Sequence, residues 1–188
     1  MRAAIEAGAD YVGVVFAASP RRVDPAALQE WLEDARGDTE VVGVFRDQDK
    51  SFVDECIARF DLDFVQLHGG ESVEGFPDLG VRLIETSIVA GASIPAARFP
   101  GRAWARLLDA GAGSGESFDW DLAVAPAKAE RVFLAGGLTV ETVGEAIRRV
   151  APFAVDVSSG VELHDSPGRK DPRLMRAFVA AVRDTSPA

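Results

Sequence analysis

The chain has 188 residues, a net charge of −10 and a hydrophobic fraction of 47%. This length suits one domain with a sizeable core, and no apolar run is long enough to span a membrane. The acidic excess disfavours a nucleic-acid backbone as a partner, and a single cysteine, Cys56, excludes an internal disulfide and favours a cytoplasmic protein.

Seven short apolar runs predict β-strands. Each is continuously apolar rather than alternating, which is typical of strands buried on both faces of a parallel sheet. The predicted strands begin at Tyr11, Val41, Asp63, Val81, Ala103, Arg131 and Phe153.

Amphipathic segments separate these strands and predict helices. Two begin with Asp-Pro, at positions 24–25 and 171–172, where the aspartate can cap the helix and the proline fits its first turn. Ser51 is predicted to cap another helix. A helix over residues 119–125 is predicted to stop at the proline that follows it. Thr139–Val150 has the most regular helical pattern of the chain.

The alternation of strand and helix predicts an α/β fold with a parallel sheet and helical crossovers. The first segment, residues 1–7, reads as the end of a helix with no strand before it. Seven strands after such a fragment predict a (β/α)8 TIM barrel missing its first strand, as one domain over residues 1–188. The alternative is a doubly wound sheet, which usually carries one glycine-rich turn. Here polar and glycine-rich ends follow nearly every strand, as in barrels.

Two predicted strands end abruptly in small residues. Residues 132–134 run into Ala135-Gly136-Gly137, and residues 153–157 run into Ser158-Ser159-Gly160. Such ends let a ligand approach the main chain closely, and two of them one βαβ unit apart favour a shared anion site. The alternative is a pair of tight turns without a ligand. The pattern favours a phosphate site.

Three ionisable side chains follow other strands, at the end of the barrel that faces the active site. Asp109 directly follows an apolar run, so it is either a general acid or base or a capping residue before a glycine-rich loop. Arg21 can bind a carboxylate with two hydrogen bonds or lie solvated in its loop. His68 can bind an anion or transfer a proton, although a single histidine there is more often a loop residue. Cys56 lies on an apolar helix stripe and is predicted to be inert.

Nine segments, in this order and spacing, resemble the phosphoribosylanthranilate isomerase family of tryptophan biosynthesis. The resemblance implies a (β/α)8 barrel that carries out an Amadori rearrangement of a phosphosugar without a cofactor. The segments are G-A-D-Y-V-G-V-V-F (8–16), S-P-R-R-V (19–23), V-G-V-F (42–45), V-Q-L-H-G (65–69), L-L-D (107–109), G-S-G-E-S-F-D-W (113–120), L-A-G-G-L (134–138), V-D-V-S-S-G-V-E (155–162) and K-D (170–171).

The resemblance also implies roles for individual residues. Asp109 would be the general acid that protonates the furanose ring oxygen. Arg21 and His68 would hold the anthranilate carboxylate, and Asp156 would contact the ribose. The phosphate would be held by Gly136, Gly137, Ser158, Ser159 and Gly160, with Gly113 and Gly115.

The family's general base is a cysteine at the end of the first strand, which would lie before Met1. Cys56 is mid-helix and cannot replace it, so the resemblance implies little or no activity for residues 1–188 alone. A non-catalytic remnant that binds phosphosugar or anthranilate is the second hypothesis. Indole-glycerol-phosphate synthase is disfavoured, because the strand ends carry no lysine. The expected partner is a small phosphosugar, with neither nucleic acid nor membrane, and the expected assembly is a monomer or homodimer.

Overall fold

The computed structural model describes residues 1–35, 37–76, 78–111 and 117–185. Within these residues seven strands are hydrogen-bonded to one another in chain order, so all seven predicted strands are confirmed. The pairs for which a register is defined are parallel. The strands are β1 Tyr11–Val15, β2 Glu40–Phe45, β3 Phe64–Leu67, β4 Arg82–Ile88, β5 Ala105–Asp109, β6 Val132–Leu134 and β7 Ala154–Val155.

Helices connect most of these strands. The longest has 14 residues, and none in the described part of the chain is long and apolar enough to cross a membrane. The helices are α1 Arg2–Ala7, α2 Pro25–Ala35, α3 Lys50–Phe60, α4 Asp121–Ala129, α5 Val143–Val150 and α6 Pro172–Thr185, with a 3₁₀ turn at Ser159–Val161.

Both Asp-Pro helix starts are confirmed. Asp24 Oδ1 accepts a hydrogen bond from the Ala26 amide at 2.9 Å, and Asp171 Oδ1 accepts one from the Arg173 amide at 2.8 Å. Each bond satisfies one of the amides that the first helical turn leaves without an intrahelical partner. The Asp-Pro pairs therefore locate the starts of α2 and α6 correctly.

The predicted cap at Ser51 is wrong, because α3 already begins at Lys50 and Asp49 occupies the cap position without a side-chain bond. The Lys50 ammonium instead pairs with Asp54, one helical turn further on, at 2.6 Å. Residues four apart are neighbours on the surface of a helix, so this ion pair fits a helix that begins at Lys50. The stabilisation it gives is small because both side chains are partly exposed.

Two other helix boundaries also differ from the prediction. Helix α4 continues through Pro126 to Ala129, since a proline removes only one intrahelical bond and the Pro126 carbonyl still accepts the Glu130 amide at 2.9 Å. Helix α5 begins at Val143 rather than Thr139. The Thr139 carbonyl accepts the Thr142 and Val143 amides at 3.2 and 3.0 Å, and the Thr142 hydroxyl accepts the Thr139 amide at 3.0 Å. Residues 139–142 therefore form a hydrogen-bonded turn that leads into α5.

Strand β4 extends beyond its predicted end at Glu85 and includes Thr86, Ser87 and Ile88. Both hydroxyl residues are buried. The pattern of apolar residues underestimates this strand, because buried polar side chains interrupt the apolar run without ending the β conformation.

The chain forms two compact units, the first comprising Met1–Glu85 with Arg98–Trp104 and the second Thr86–Ala97 with Ala105–Ala188. The core of the first unit centres on Phe16, whose ring stacks on Phe45 and Phe60 with centroids 5.1 and 5.5 Å apart. The core of the second is mainly aliphatic and includes Leu108, Leu134, Val143, Ala146 and Phe178.

Candidate functional site

Asp109 is the last residue of β5, and it is only 8% exposed. Its Oδ1 accepts a hydrogen bond from the Gly111 amide at 3.2 Å. Gly136 lies against it, with φ +85°. A Cβ atom at Gly136 would come within 3.2 Å of Oδ1 and within 2.6 Å of the Ala110 amide nitrogen. Only glycine fits here, because both the backbone conformation and the available space exclude a side chain.

The parallel pairing of β5, β6 and β7 brings their carboxyl ends together. Leu108 pairs with Leu134, and Leu134 pairs with Val155. The Asp156 amide extends the pairing by donating to the Leu134 carbonyl at 2.8 Å. The strand ends open into a cleft. Its lining residues are Asp109, Gly111, Ala135, Gly136, Gly137, Leu138, Asp156, Val157, Ser158 and Ser159.

Asp156 has a strongly perturbed carboxyl group. The residue is exposed to solvent in the open cleft. The neighbouring protein atoms nevertheless reduce the hydration of its carboxyl group. Burial, followed by repulsion from the Asp109 carboxylate, raises the pKa of Asp156 from 3.8 to about 6, and the Lys170 ammonium opposes this shift. A carboxyl group with this pKa exchanges protons close to neutral pH, so the cleft contains a second candidate for acid–base chemistry beside Asp109.

The two predicted anion-binding turns both line this cleft. Gly136 and Gly137 have φ angles of +85° and +65°, which glycine adopts at no steric penalty. After β7, Ser158 and Ser159 line the cleft, and Gly160 is packed so closely that an added Cβ would lie 2.0 Å from the Leu138 carbonyl oxygen. The structure thus brings six of the predicted residues together in the second unit: Asp109, Gly136, Gly137, Asp156, Ser158 and Ser159.

Arg21 and His68 belong to the first unit. Arg21 lies half-buried in the turn after β1, where its amide donates to Ser19 Oγ at 3.1 Å. His68 follows β3, and its Nδ1 lies 3.1 Å from Gln66 Nε2. With the amide nitrogen as donor, Nδ1 accepts and the ring proton is carried by Nε2. The shared role of Arg21 and His68 as carboxylate ligands stays a prediction.

A polar network that the sequence did not predict supports the loop after His68. The Glu71 carboxylate, with a side chain only 2% exposed, accepts the amides of Asp47 and Gly69 at 2.8 and 2.9 Å. Arg98 lies 3.5 Å from Glu71 and donates to the Gly69 carbonyl. A buried carboxylate with this many partners orients the loop rigidly. The only signal in the sequence was the glycine pair at 69–70.

Lys170 was also missed as a site residue, although the K-D pair at 170–171 is part of the resemblance. Its Nζ donates to the Ser158 carbonyl at 2.8 Å and to Ser158 Oγ at 3.0 Å. Lys170 therefore contacts a residue that lines the cleft. Predicting this contact needs the long-range fold, because 12 residues separate the two positions.

Cys56 is buried on α3, as predicted, and burial raises the pKa of its thiol to about 11. No group of three or more His, Cys, Asp or Glu side chains in the described part of the chain is placed to hold a metal ion. Gly113 and Gly115, predicted to help hold the phosphate, lie outside the described residues.

The family model described as N-(5'-phosphoribosyl)anthranilate isomerase matches residues 1–181. The chain belongs to this family. An isomerase of that name from Citrifermentans bemidjiense is 43% identical over 96% of this chain and 89% of its own length. One from Geobacter sp. strain M21 is also 43% identical, over 97% of this chain and 92% of its own.

Solved structures of the family match the fold. The phosphoribosylanthranilate isomerase from Thermus thermophilus has a TM-score of 0.86 and 34% identity, covering 98% of this chain and 92% of its own. A family member in complex with reduced 1-(o-carboxyphenylamino)-1-deoxyribulose 5-phosphate has a TM-score of 0.81 and 30% identity, covering 97% and 91%. The predicted α/β fold of the TIM-barrel type is confirmed.

Proposed function

We propose that this chain converts N-(5'-phosphoribosyl)anthranilate to its 1-deoxyribulose 5-phosphate isomer, an Amadori rearrangement in tryptophan biosynthesis. Family membership supports the reaction. The observation that carries the assignment of residues is the cleft at the ends of β5, β6 and β7, where two carboxyl groups lie beside two small-residue turns.

Asp109 acts as the general acid in this proposal. It gives a proton to the furanose ring oxygen as the C1–O bond breaks, and the anilino nitrogen stabilises the resulting iminium. A base then removes the proton from the sugar C2 to give an enolamine, which takes up a proton at C1 and releases the proton of its C2 hydroxyl, so that C2 becomes the carbonyl carbon of the aminoketose. No oxidant or metal is needed, because hydrogen only moves from C2 to C1. Cys56 is not the base, because it is buried on α3.

The turns at 136–137 and 158–160 hold the phosphate, and Arg21 and His68 hold the anthranilate carboxylate. Asp156 contacts the ribose. The family structure with a bound reduced aminoketose phosphate supports a ligand that carries both a phosphate and an aromatic carboxylate. The alternative, a binding protein without turnover, has no specific observation in its favour.

Asp109→Asn tests the assignment of the general acid. Loss of the acid is expected to slow turnover by about 10²- to 10⁴-fold, measured by the loss of anthranilate fluorescence. Binding of the reduced aminoketose phosphate, measured by calorimetry, should change by no more than a few-fold, because asparagine keeps the side-chain shape. Asp38→Asn, an exposed position, is the matched control.

If the unmodified chain shows measurable turnover, an equal turnover by Asp109→Asn would overturn the role of Asp109. Binding of the analogue by the unmodified chain without any turnover would favour the non-catalytic hypothesis. Light scattering during size-exclusion chromatography measures whether the chain is a monomer or a homodimer. A related isomerase from Thermotoga maritima is described as dimeric.

A further inference from the structure

Lys170 is fixed by the backbone next to the turn that follows β7. Residues 162 and 170 form an antiparallel bridge, and the Leu163 amide donates to the Arg169 carbonyl at 2.8 Å. The Asp171 amide donates to the Val161 carbonyl, also at 2.8 Å. Residues 162–170 therefore form a hairpin whose base lies against Ser158–Val161, and its residue Lys170 contacts Ser158, which lines the cleft.

The Lys170 ammonium has an acceptor for each of its N–H groups. It donates to the Ser158 carbonyl at 2.8 Å, to Ser158 Oγ at 3.0 Å and to Glu162 Oε1 at 3.0 Å. An ammonium offers three donors, so these three acceptors suffice to fix its orientation. Glu162 Oε1 also accepts the Gly168 amide at 3.0 Å. The Lys170 and Glu162 side chains are only 27% and 8% exposed, so solvent screens the pair less than it screens a surface ion pair.

The hydrogen bond from Lys170 to Ser158 Oγ determines the direction in which the Ser158 hydroxyl can donate its own hydrogen. A serine hydroxyl has one donor hydrogen and two lone pairs. Because the Lys170 ammonium already occupies one lone pair, the hydroxyl hydrogen points away from Nζ. Ser158 lines the cleft, so an anion there is a natural acceptor for that hydrogen. A hydroxyl that itself accepts from a cation is also a stronger donor, because the two hydrogen bonds polarise one another.

We propose that Lys170 is a positioning residue for phosphate binding: it orients the Ser158 hydroxyl as a donor to the phosphate of the ligand. The identity of that ligand rests on the proposed function. Lys170 does not touch the phosphate in this arrangement. Its effect on affinity passes through Ser158, and Glu162 holds the ammonium in place.

The test compares Kd values for reduced 1-(o-carboxyphenylamino)-1-deoxyribulose 5-phosphate, measured by calorimetry. Lys170→Met keeps the length of the side chain and removes its donors, and Ser158→Ala removes the hydroxyl. Each is expected to weaken binding about tenfold or more, as for hydrogen bonds to charged groups. The double variant should bind no more than about twofold more weakly than either single variant, because both changes remove one interaction.

Three controls separate this role from a purely structural one. Lys128→Met, at an exposed lysine in α4, should leave Kd within about twofold of the unmodified value, as expected for a surface site. The same ligand without its phosphate should bind all variants within about twofold, since neither change touches the rest of the ligand. Lys170→Gln keeps an amide NH₂ donor group without the charge. This variant should bind the phosphorylated ligand more tightly than Lys170→Met. If Lys170→Met does not fold, Lys170→Gln replaces it in the comparison.

The proposal would be overturned if the fold-increase in Kd of the double variant equalled the product of the fold-increases of Lys170→Met and Ser158→Ala, because the two side chains would then act independently. A Lys170→Met effect that is equally large for the ligand without phosphate would also overturn it. Failure of the unmodified chain to bind the phosphorylated ligand is a different result, because it would overturn the proposed function itself.

Discussion

Replacement of Gly160 by alanine tests how precisely the turn after β7 must be packed. The added Cβ would lie 2.0 Å from the Leu138 carbonyl oxygen. Because a carbon and a carbonyl oxygen approach to about 3.3 Å at closest, the two segments must separate by roughly 1.3 Å. The obstacle is backbone, which cannot rotate away as a flexible side chain can. The displacement moves Ser158 and Ser159, which line the cleft.

The expected loss of stability is about 1–3 kcal/mol, the usual range for overpacking. For a chain of this size this lowers Tm by roughly 2–12 °C, which differential scanning calorimetry measures. Affinity for the reduced aminoketose phosphate should fall by about tenfold or more. Displaced contacts that lose about 1.4 kcal/mol of binding free energy are sufficient for a tenfold rise in Kd.

Gly13→Ala is the matched control. A Cβ at Gly13 would meet only Val44 Cγ2, at 3.8 Å, an ordinary contact. Its Tm should be equal to that of the unmodified chain or higher, because alanine restricts the unfolded chain. A Gly160→Ala variant with unchanged Tm and unchanged affinity would refute the close approach of residues 138 and 160.

Two further predictions concern titratable groups. Because the pKa of Asp156 is raised from 3.8 to about 6, the folded chain holds this proton more tightly than the unfolded chain. Its contribution to stability is complete below pH 3.8 and is lost as the pH rises through about 6. Asp156→Asn should therefore remove part of the fall in stability between these values in urea denaturation, and identical pH profiles would contradict the assignment. Because burial raises the pKa of Cys56 from 9.0 to about 11, iodoacetamide should label the native thiol at least about a hundredfold more slowly than the thiol in urea. Mass spectrometry measures both rates, and equal rates would show that Cys56 is accessible.

The sequence predicted the strands better than the helix ends. Strands buried on both faces are continuously apolar, so β1 to β7 were recognisable without tertiary information. The wrong helix boundaries involve Ser51, Pro126 and Thr139. At each of these positions the prediction relied on one residue type, whereas the helix end is set by local hydrogen bonds and ion pairs that residue type alone does not reveal: Lys50 with Asp54, Pro126 with Glu130, and Thr139 with Thr142.

The site was predictable to the extent that parallel strands place their ends at one edge. Asp109, Asp156 and the two glycine- and serine-containing turns were found in this way, and they line one cleft. Glu71, Arg98 and Lys170 were not found. Their roles depend on partners such as Asp47, 24 residues from Glu71, or Ser158, 12 residues from Lys170. Neither periodicity nor local motifs encode such separations.

The hairpin of residues 162–170 also offers a chemical handle next to the phosphate turn. The His164 and Asp165 side chains at its tip are 93% and 87% exposed, whereas its base is tied to Ser158 through Lys170. Because Cys56 is buried and is the only cysteine of the chain, His164→Cys would be the one thiol open to a maleimide dye. A fluorophore at that position would report on the cleft without occupying it.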